Sequence, residues 1–351
     1  MVLSRKQQVL WVAGSMLLLA CGTLGTDDGG ADNLPFRGVG PYTALLEPAV
    51  GEVESENTWF LEPPDEDTLY LEPSAIVREG VLELFVVQET SIGDTSSRVL
   101  VRRTIDETLV PGAPVVVLSE VSLPNWADET WSSPSISSER GRLHLAVEAG
   151  DHGGIVFFVE QGDGSFGLHD VLQELRPASV PEEAQGIGSP SIAWLKGEMR
   201  VYYTGFDAAG NGHIREARWL EGRWERRGTV LSPGTGCVDE EAVEAPCWDS
   251  VTVFDGELRV AQSKVDGVVL RLFYAGHAGK KASLGFAAAY EGGEFSRTPL
   301  NPVMAPKSDL RQPSNVLAFG RYLLFYEEHV TGGRRGVGLS ESVGGLPSET
   351  F

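Results

Sequence analysis

The sequence predicts an all-β protein, a five-bladed β-propeller of four-stranded antiparallel blades. Three observations predict it. One short motif recurs five times; each copy is followed by apolar, strand-length segments and Gly-bearing turns; and no apolar pattern of helical period persists beyond the N-terminal segment. The motif reads PSAIVREG from Pro73, PSISSERG from Pro134, PSIAWLKG from Pro190, DSVTVFDG from Asp249 and PSNVLAFG from Pro313, with Ser second and Gly eighth throughout. Such agreement at one offset is not expected by chance. Copies roughly 60 residues apart are too widely spaced for sandwich hairpins and suit blades with generous loops.

Residues 1–20 read as a secretion signal, because Arg5 and Lys6 precede an apolar run, VLWVAGSMLLLA, too short to span a bilayer. Residues 21–40 are rich in small, acidic and turn-forming types with almost nothing to bury, so a flexible tether is expected. The remaining 41–351 form one propeller domain. Its inner strands start near residues 73, 134, 190, 249 and 313, and each Gly marks a tight hairpin into a second strand, as in VLELFVV, RLHLAVE, EMRVYYTG and RYLLFYEE. The fourth unit reads as carrying an insertion, ELRVAQSKVDG, before its equivalent VVLRLFYAG. A third strand follows, as in HIREARWL and SLGFAAAY, then a turn and an aromatic: Phe166, Trp224 or Phe295. The last unit ends after its third strand, RGVGLSES, so a segment near NTWFLEPP, from Asn57, is expected to supply the missing outer strand.

Lys and Arg number 28 against 50 Asp and Glu, a net charge of −22. Such a surface repels nucleic acid and serves solubility. The stretch Leu18-Leu19-Ala20-Cys21 resembles a bacterial lipobox, which implies that Cys21 carries lipid and becomes the new N-terminus. Gly22, where an Asp is absent, resembles lipoproteins sent to the outer membrane. With Cys21 committed to lipid, Cys237 and Cys247 remain in an oxidising compartment, close enough in sequence to close a short disulfide loop.

Pro-Ser-Ile, the Gly hairpin, Tyr202-Tyr203-Thr204-Gly205 and the later Gly222-x-Trp224 resemble the five-bladed propellers of arabinanase, xylosidase, invertase and levansucrase-type glycoside hydrolases, families 43, 32 and 68. The resemblance covers residues 70 to 351. It implies a funnel on one face, with a base Asp, an Asp that tunes pKa and an acid Glu near the starts of inner strands. The residues preceding the five units are Glu72, Ser133, Ser189, Trp248 and Gln312, of which only Glu72 is acidic. Glu244, in Glu-Ala-Pro, resembles the acid of the arabinanase group, and Asp249 opens the fourth unit. The catalytic candidates are therefore Glu72, Glu244 and Asp249, an incomplete triad that leaves enzymatic activity open.

Alternating strand direction puts the entries to first strands and the hairpins between second and third strands on one face. That face would collect Asp128, Glu129, Trp131, Trp248 and Gln312, with the hairpin residues Asp207, His213, His277 and His329. Carboxylates, imidazoles, amides and Trp rings in one hollow suit a sugar, since rings stack on apolar sugar faces and polar groups bond hydroxyls. Trp131 and Trp248 have an alternative use, as wedges between blades. No His-Glu-x-x-His, phosphate loop or Gly-x-Ser-x-Gly elbow is present, so no cofactor or metal is called for. The expectation is a monomeric lipoprotein of the bacterial envelope that binds carbohydrate and possesses a glycosidase-like funnel. The competing expectation is a non-enzymatic scaffold that binds a protein partner.

Overall fold

The computed structural model describes residues 42–44 and 59–342, except 62, 94, 120–129, 236, 239–243, 246, 264–266, 280, 299–300, 305–307 and 331–333. The signal, the tether, Asp128 and Glu129 lie outside the described residues. No described helix is long and apolar enough to cross a membrane.

Five four-stranded antiparallel sheets carry the chain. Blade 1 comprises β2 (Thr68–Arg78), β3 (Val81–Ile92), β4 (Thr95–Ile105) and β5 (Val115–Leu118). Blade 2 comprises β6 (Trp131–Glu139), β7 (Arg142–Ala149), β8 (Ile155–Glu160) and β9 (Phe166–Leu168). Blade 3 comprises β10 (Gly186–Leu195), β11 (Glu198–Phe206), β12 (Gly212–Leu220) and β13 (Arg223–Leu231). A small ladder of β14 (Cys237–Val238) and β15 (Glu244–Ala245) precedes blade 4, built from β16 (Thr252–Ser263), β17 (Gly267–His277), β18 (Ser283–Tyr290) and β19 (Ser296–Arg297). Blade 5 holds β20 (Asp309–Ala318), β21 (Arg321–His329) and β22 (Arg335–Ser342), and its fourth strand is β1 (Tyr42–Ala44), which pairs Tyr42 with Ser342.

Ring closure by an N-terminal strand is as anticipated, but the strand is Tyr42–Ala44 and not the segment near Asn57. Trp59 and Phe60 serve differently. Phe60 donates its amide to the Val337 carbonyl at 2.8 Å and its ring meets Phe325 edge-on at 5.4 Å, while Trp59 lies over Gly336, where any Cβ would strike the indole.

The second strands read as continuous apolar runs because both faces of each are buried. In β3, Leu84 and Val86 face blade 5, whereas Phe85 and Val87 face blade 2. Alternate residues thus feed different cores. One apolar cluster fills each interface between neighbouring blades, including blade 5 against blade 1, so the ring is complete.

The recurrent Ser is explained by that ring. Ser74 Oγ accepts the Ile136 amide at 3.0 Å, Ser135 Oγ that of Ile192 at 3.0 Å, Ser191 Oγ that of Leu258 at 2.8 Å, and Ser314 Oγ that of Ala75 at 2.8 Å. The remaining bond runs from the Asn315 amide to Glu257 Oε2. Every inner strand is therefore tied to the next through a side-chain acceptor at this position.

Glu257 exposes an error in the fourth repeat. Each inner strand has a bulge where two residues oppose one: Glu72-Pro73, Ser133-Pro134, Ser189-Pro190, Asp255-Gly256 and Gln312-Pro313. Pro suits the position because it has no amide to pair. In blade 4 the equivalent of Pro-Ser is Gly256-Glu257, so the unit beginning at Asp249 is displaced and ELRVAQ belongs to β16 itself. Gly256 matched the hairpin Gly by offset alone. Gly267, at φ 79°, instead opens the second strand of that blade, opposite Ser263.

Ser191→Ala, which leaves the buried Leu258 amide without its acceptor, is expected to cost about 1–3 kcal/mol. The exposed Ser96→Ala should stay within about 0.5 kcal/mol. Urea midpoints at unchanged m-value measure both.

Candidate functional site

The inner-strand bulges converge on the axis, and their first residues form the floor of a funnel. Glu72, Ser133, Ser189, Asp255 and Gln312 all adopt left-handed backbone, with φ between 45° and 53°. For residues with a side chain this conformation costs roughly 1–2 kcal/mol each, so something must hold it.

A side chain from the preceding blade holds each one. The Glu72 amide donates to Glu327 Oε2 at 3.0 Å, and that of Ser133 to Glu72 Oε2 at 2.7 Å. Ser189 donates to Glu148 Oε2 at 2.9 Å, Asp255 to Thr204 Oγ1 at 3.2 Å, and Gln312 to Asp255 Oδ2 at 3.3 Å. Side-chain bonds then cross the floor. Ser189 Oγ donates to Asp255 Oδ1 at 2.6 Å, and the Gln312 amide reaches both Asp255 Oδ1 at 3.2 Å and Ser133 Oγ at 2.8 Å.

Above this floor is a cavity of about 340 Å³, within the usual range of small-molecule sites, about 300–1,000 Å³. Glu148 and Glu327 reach it from second strands, and His152, His277 and His329 from the hairpin ends. His152 lies flat on Phe206, centroids 4.0 Å apart, with Nδ1 2.9 Å from Glu148 Oε1. His329 Nε2 is 2.5 Å from Glu327 Oε1. Phe254 and Phe206 present part-exposed rings, and Arg311 and Arg335 complete the wall. A wider hollow of about 590 Å³ adjoins on the blade 2 to blade 3 side, lined by Arg176, Glu183 and Gln185, and shares His152 with the funnel.

Burial sets the electrostatics. Desolvation, reinforced by the neighbouring Glu327, pushes the Glu72 carboxyl up to about 8 despite Arg98 at 3.5 Å. Desolvation raises Asp255 to about 6, against the bonds from Ser189 and Gln312 that favour its charge. The hydrogen bond that His152 donates to Glu148 raises the imidazole. Burial lowers His277.

Of the residues singled out from the sequence, Glu72, Gln312, His277 and His329 line the funnel together. Asp249 does not. It is 1% exposed and accepts from Tyr274 Oη at 3.0 Å and Arg297 Nε at 2.9 Å, a buried anchor; Asp255 is the blade 4 carboxylate at the axis. Trp131 is buried between blades 1 and 2, and Trp248 stacks on Tyr274 at 5.6 Å over Gly276 and Gly285, so both pack within the blades and neither is among the residues lining the funnel. Asp207 binds the amides of its own turn and stands 3.5 Å from His213, away from the funnel lining. The backbone of Glu244 pairs with Val238, but its side chain lies outside the described residues. Cys247 is buried, and the same ladder sets Cys237 opposite Ala245; the Cys237 side chain lies outside the described residues.

Sequence reading missed Glu148, Glu327, Asp255, Phe206, Phe254, Arg311 and Arg335. For two of them a signal existed. The seventh residue after the hairpin Gly is Val87, Glu148, Thr204 and Glu327 in blades 1, 2, 3 and 5, and an acidic residue inside an otherwise apolar strand needs a polar destination.

No family model and no curated protein matches the chain. Solved structures do resemble it. A glycoside hydrolase aligns with TM-score 0.57 at 15% identity, over 83% of this chain and 92% of that one. A thermostable family-43 glycoside hydrolase aligns with TM-score 0.55 at 14% identity, over 84% and 98%. An endo-arabinase from Bacteroides thetaiotaomicron aligns with TM-score 0.52 at 13% identity, over 81% and 97%. At these identities the shared property is the five-bladed fold.

A carboxyl raised by folding loses stability as pH climbs from its unfolded value, 4.5, through its folded value. Between about pH 5 and about pH 8 the wild type should therefore lose more unfolding free energy than Glu72→Gln, which cannot ionise. Urea titrations across that window read the difference, and parallel profiles would remove Glu72 as its source.

Proposed function

We propose that this chain is a lipid-anchored protein of the bacterial envelope that binds carbohydrate in the funnel of its propeller. One observation carries the reading: part-exposed Phe rings, three imidazoles and four buried carboxyl groups converge in a single hollow at the axis. Rings offer stacking faces to a pyranose or furanose, and the polar groups match its hydroxyls. The fold shared with glycoside hydrolases, among them an endo-arabinase, supports the same class of ligand.

The chemistry for cleavage rests on Glu72 and Asp255. Near neutrality Glu72, with its carboxyl at about 8, has a proton to give, while Asp255, at about 6, has a lone pair to take one. Environments that push two carboxyls apart are what an acid and a base require. Both are also tied to bulge amides, so the proposal places recognition first and hydrolysis, on these two groups, second. Around this body, Cys21 holds the lipid, residues 21–40 act as the tether, Cys237 with Cys247 closes the loop before blade 4, and the chain works as a monomer.

Calorimetric titration with arabinan, xylan, fructan and mannan oligosaccharides tests the reading. Saturable binding to one series is expected, tighter for longer members because the adjoining hollow shares His152 with the funnel. Absence of saturable binding in every series would sink it. Reducing-end release from the bound series, abolished by Glu72→Gln and Asp255→Asn, would establish cleavage, and binding without release would confine the protein to recognition. Cys21→Ala should move the protein from the membrane to the soluble fraction on fractionation of the producing cells.

A further inference from the structure

Blade 5 differs from the rest of the funnel in its charge. Across its ladder Arg311 opposes Glu327, Asp309 opposes His329, and His329 opposes Arg335. Directly opposed residues and residues two apart along a strand share a face. Arg311, His329 and Arg335 therefore stand on one side of one sheet, and all three line the funnel.

The acidic groups of the funnel already have partners beneath. Glu148 accepts from His152 and the Ser189 amide, Glu327 from His329 and the Glu72 amide, and Asp255 from Ser189 and Gln312. The guanidinium groups are less fully used. Arg311 places Nε and Nη2 on a single oxygen, Asp309 Oδ2, at 3.1 Å each, which occupies one edge of its fork, and its Cζ rides 5.5 Å from the Phe254 centroid. Among the described residues, the acidic partners of Arg335 stand at 3.6 Å (Glu327) and 3.8 Å (Glu89), beyond hydrogen-bond length. Two planar donors facing a hollow, in a chain of net charge −22, are an arrangement that a neutral sugar does not require.

We propose that the funnel selects a glycan bearing a carboxylate, a uronate-containing oligosaccharide, whose acid group is taken by Arg311 and Arg335 beside His329. The inference rests on the carbohydrate reading above and specifies its substrate class. A guanidinium fork matches a carboxylate through paired N–H donors, and the Phe254 ring gives the Arg311 guanidinium a cation–π contact beside the hollow. The surrounding negative charge opposes approach only over a Debye length of roughly 8–10 Å, so the local pair decides the bound state.

The test uses the full chain in detergent, titrated with trigalacturonate, its methyl ester and arabinotriose. Trigalacturonate is expected to bind about tenfold or more tightly than its ester, as fits a charge-assisted hydrogen bond. The gap should shrink at high salt. It should also close in Arg335→Gln and narrow in Arg311→Lys, which keeps the charge and loses the fork. Arg311→Gln, at an exposed edge, provides the second reading if Arg335→Gln does not fold. Equal affinity for acid and ester, preference for arabinotriose, or a gap intact in both Gln variants would overturn the charge preference while leaving carbohydrate binding in place. No binding of any of the three sugars, together with none in the neutral panel, would overturn both.

Discussion

Five backbone amides at the axis must find acceptors, and this requirement governs the centre of the molecule. Each bulge turns one residue into left-handed backbone and points its N–H toward a side chain of the preceding blade. A buried donor left unmatched costs about 1–3 kcal/mol, so the acceptors cannot be dispensed with lightly. They are Glu327, Glu72, Glu148, Thr204 and Asp255, and four of these are the funnel carboxyl groups themselves. The polar floor is thus a product of ring closure, and it is the same floor that a ligand would meet.

That dual use explains the unusual acid–base character of the site. A carboxyl recruited to bond a buried amide is carried out of water, and desolvation then raises it unless enough donors favour the charge. Asp255 has Ser189 and Gln312 for this and rises to about 6; Glu72 also faces Glu327 and rises to about 8. The separation between them follows from packing around the axis. Two structural carboxyl groups thus come to differ in proton affinity without any residue being added for that purpose.

Much of the architecture was legible in the chain. Pro-Ser at a fixed distance before a Gly marks a bulge, an inter-blade acceptor and a hairpin, three local demands that leave a trace in every blade except the fourth. There Gly256-Glu257 meets the same demands with different residues: Gly needs no bulge-compatible ring, and the long Glu side chain replaces a hydroxyl with the help of Arg259 at 2.5 Å. Because Gly256 also stood eighth in the run that starts at Asp249, the motif matched in the wrong register. The N-terminal closing strand was foreseeable as a need, since an open edge must be covered, yet the need did not identify Tyr42–Ala44 as the residues that meet it.

The site was legible only in part, for a physical reason. Glu72 and Gln312 could be found because bulge positions are set by local backbone pattern. Glu148 and Glu327 lie in strands whose neighbours are buried and apolar, and their destinations are amides 41 and 255 residues away in the chain. Trp131 and Trp248 carried the opposite ambiguity, since an indole serves a blade interface and a sugar equally well until its neighbours are known. Sequence alone determined the number of blades, the strand order within them and four of the five residues that turn at the axis, Glu72, Ser133, Ser189 and Gln312, because these depend on short-range periodicity and turn chemistry. Only the tertiary structure decided which carboxyls meet there and what charge they hold, because burial and cross-blade distances are properties of the closed ring and of no single segment.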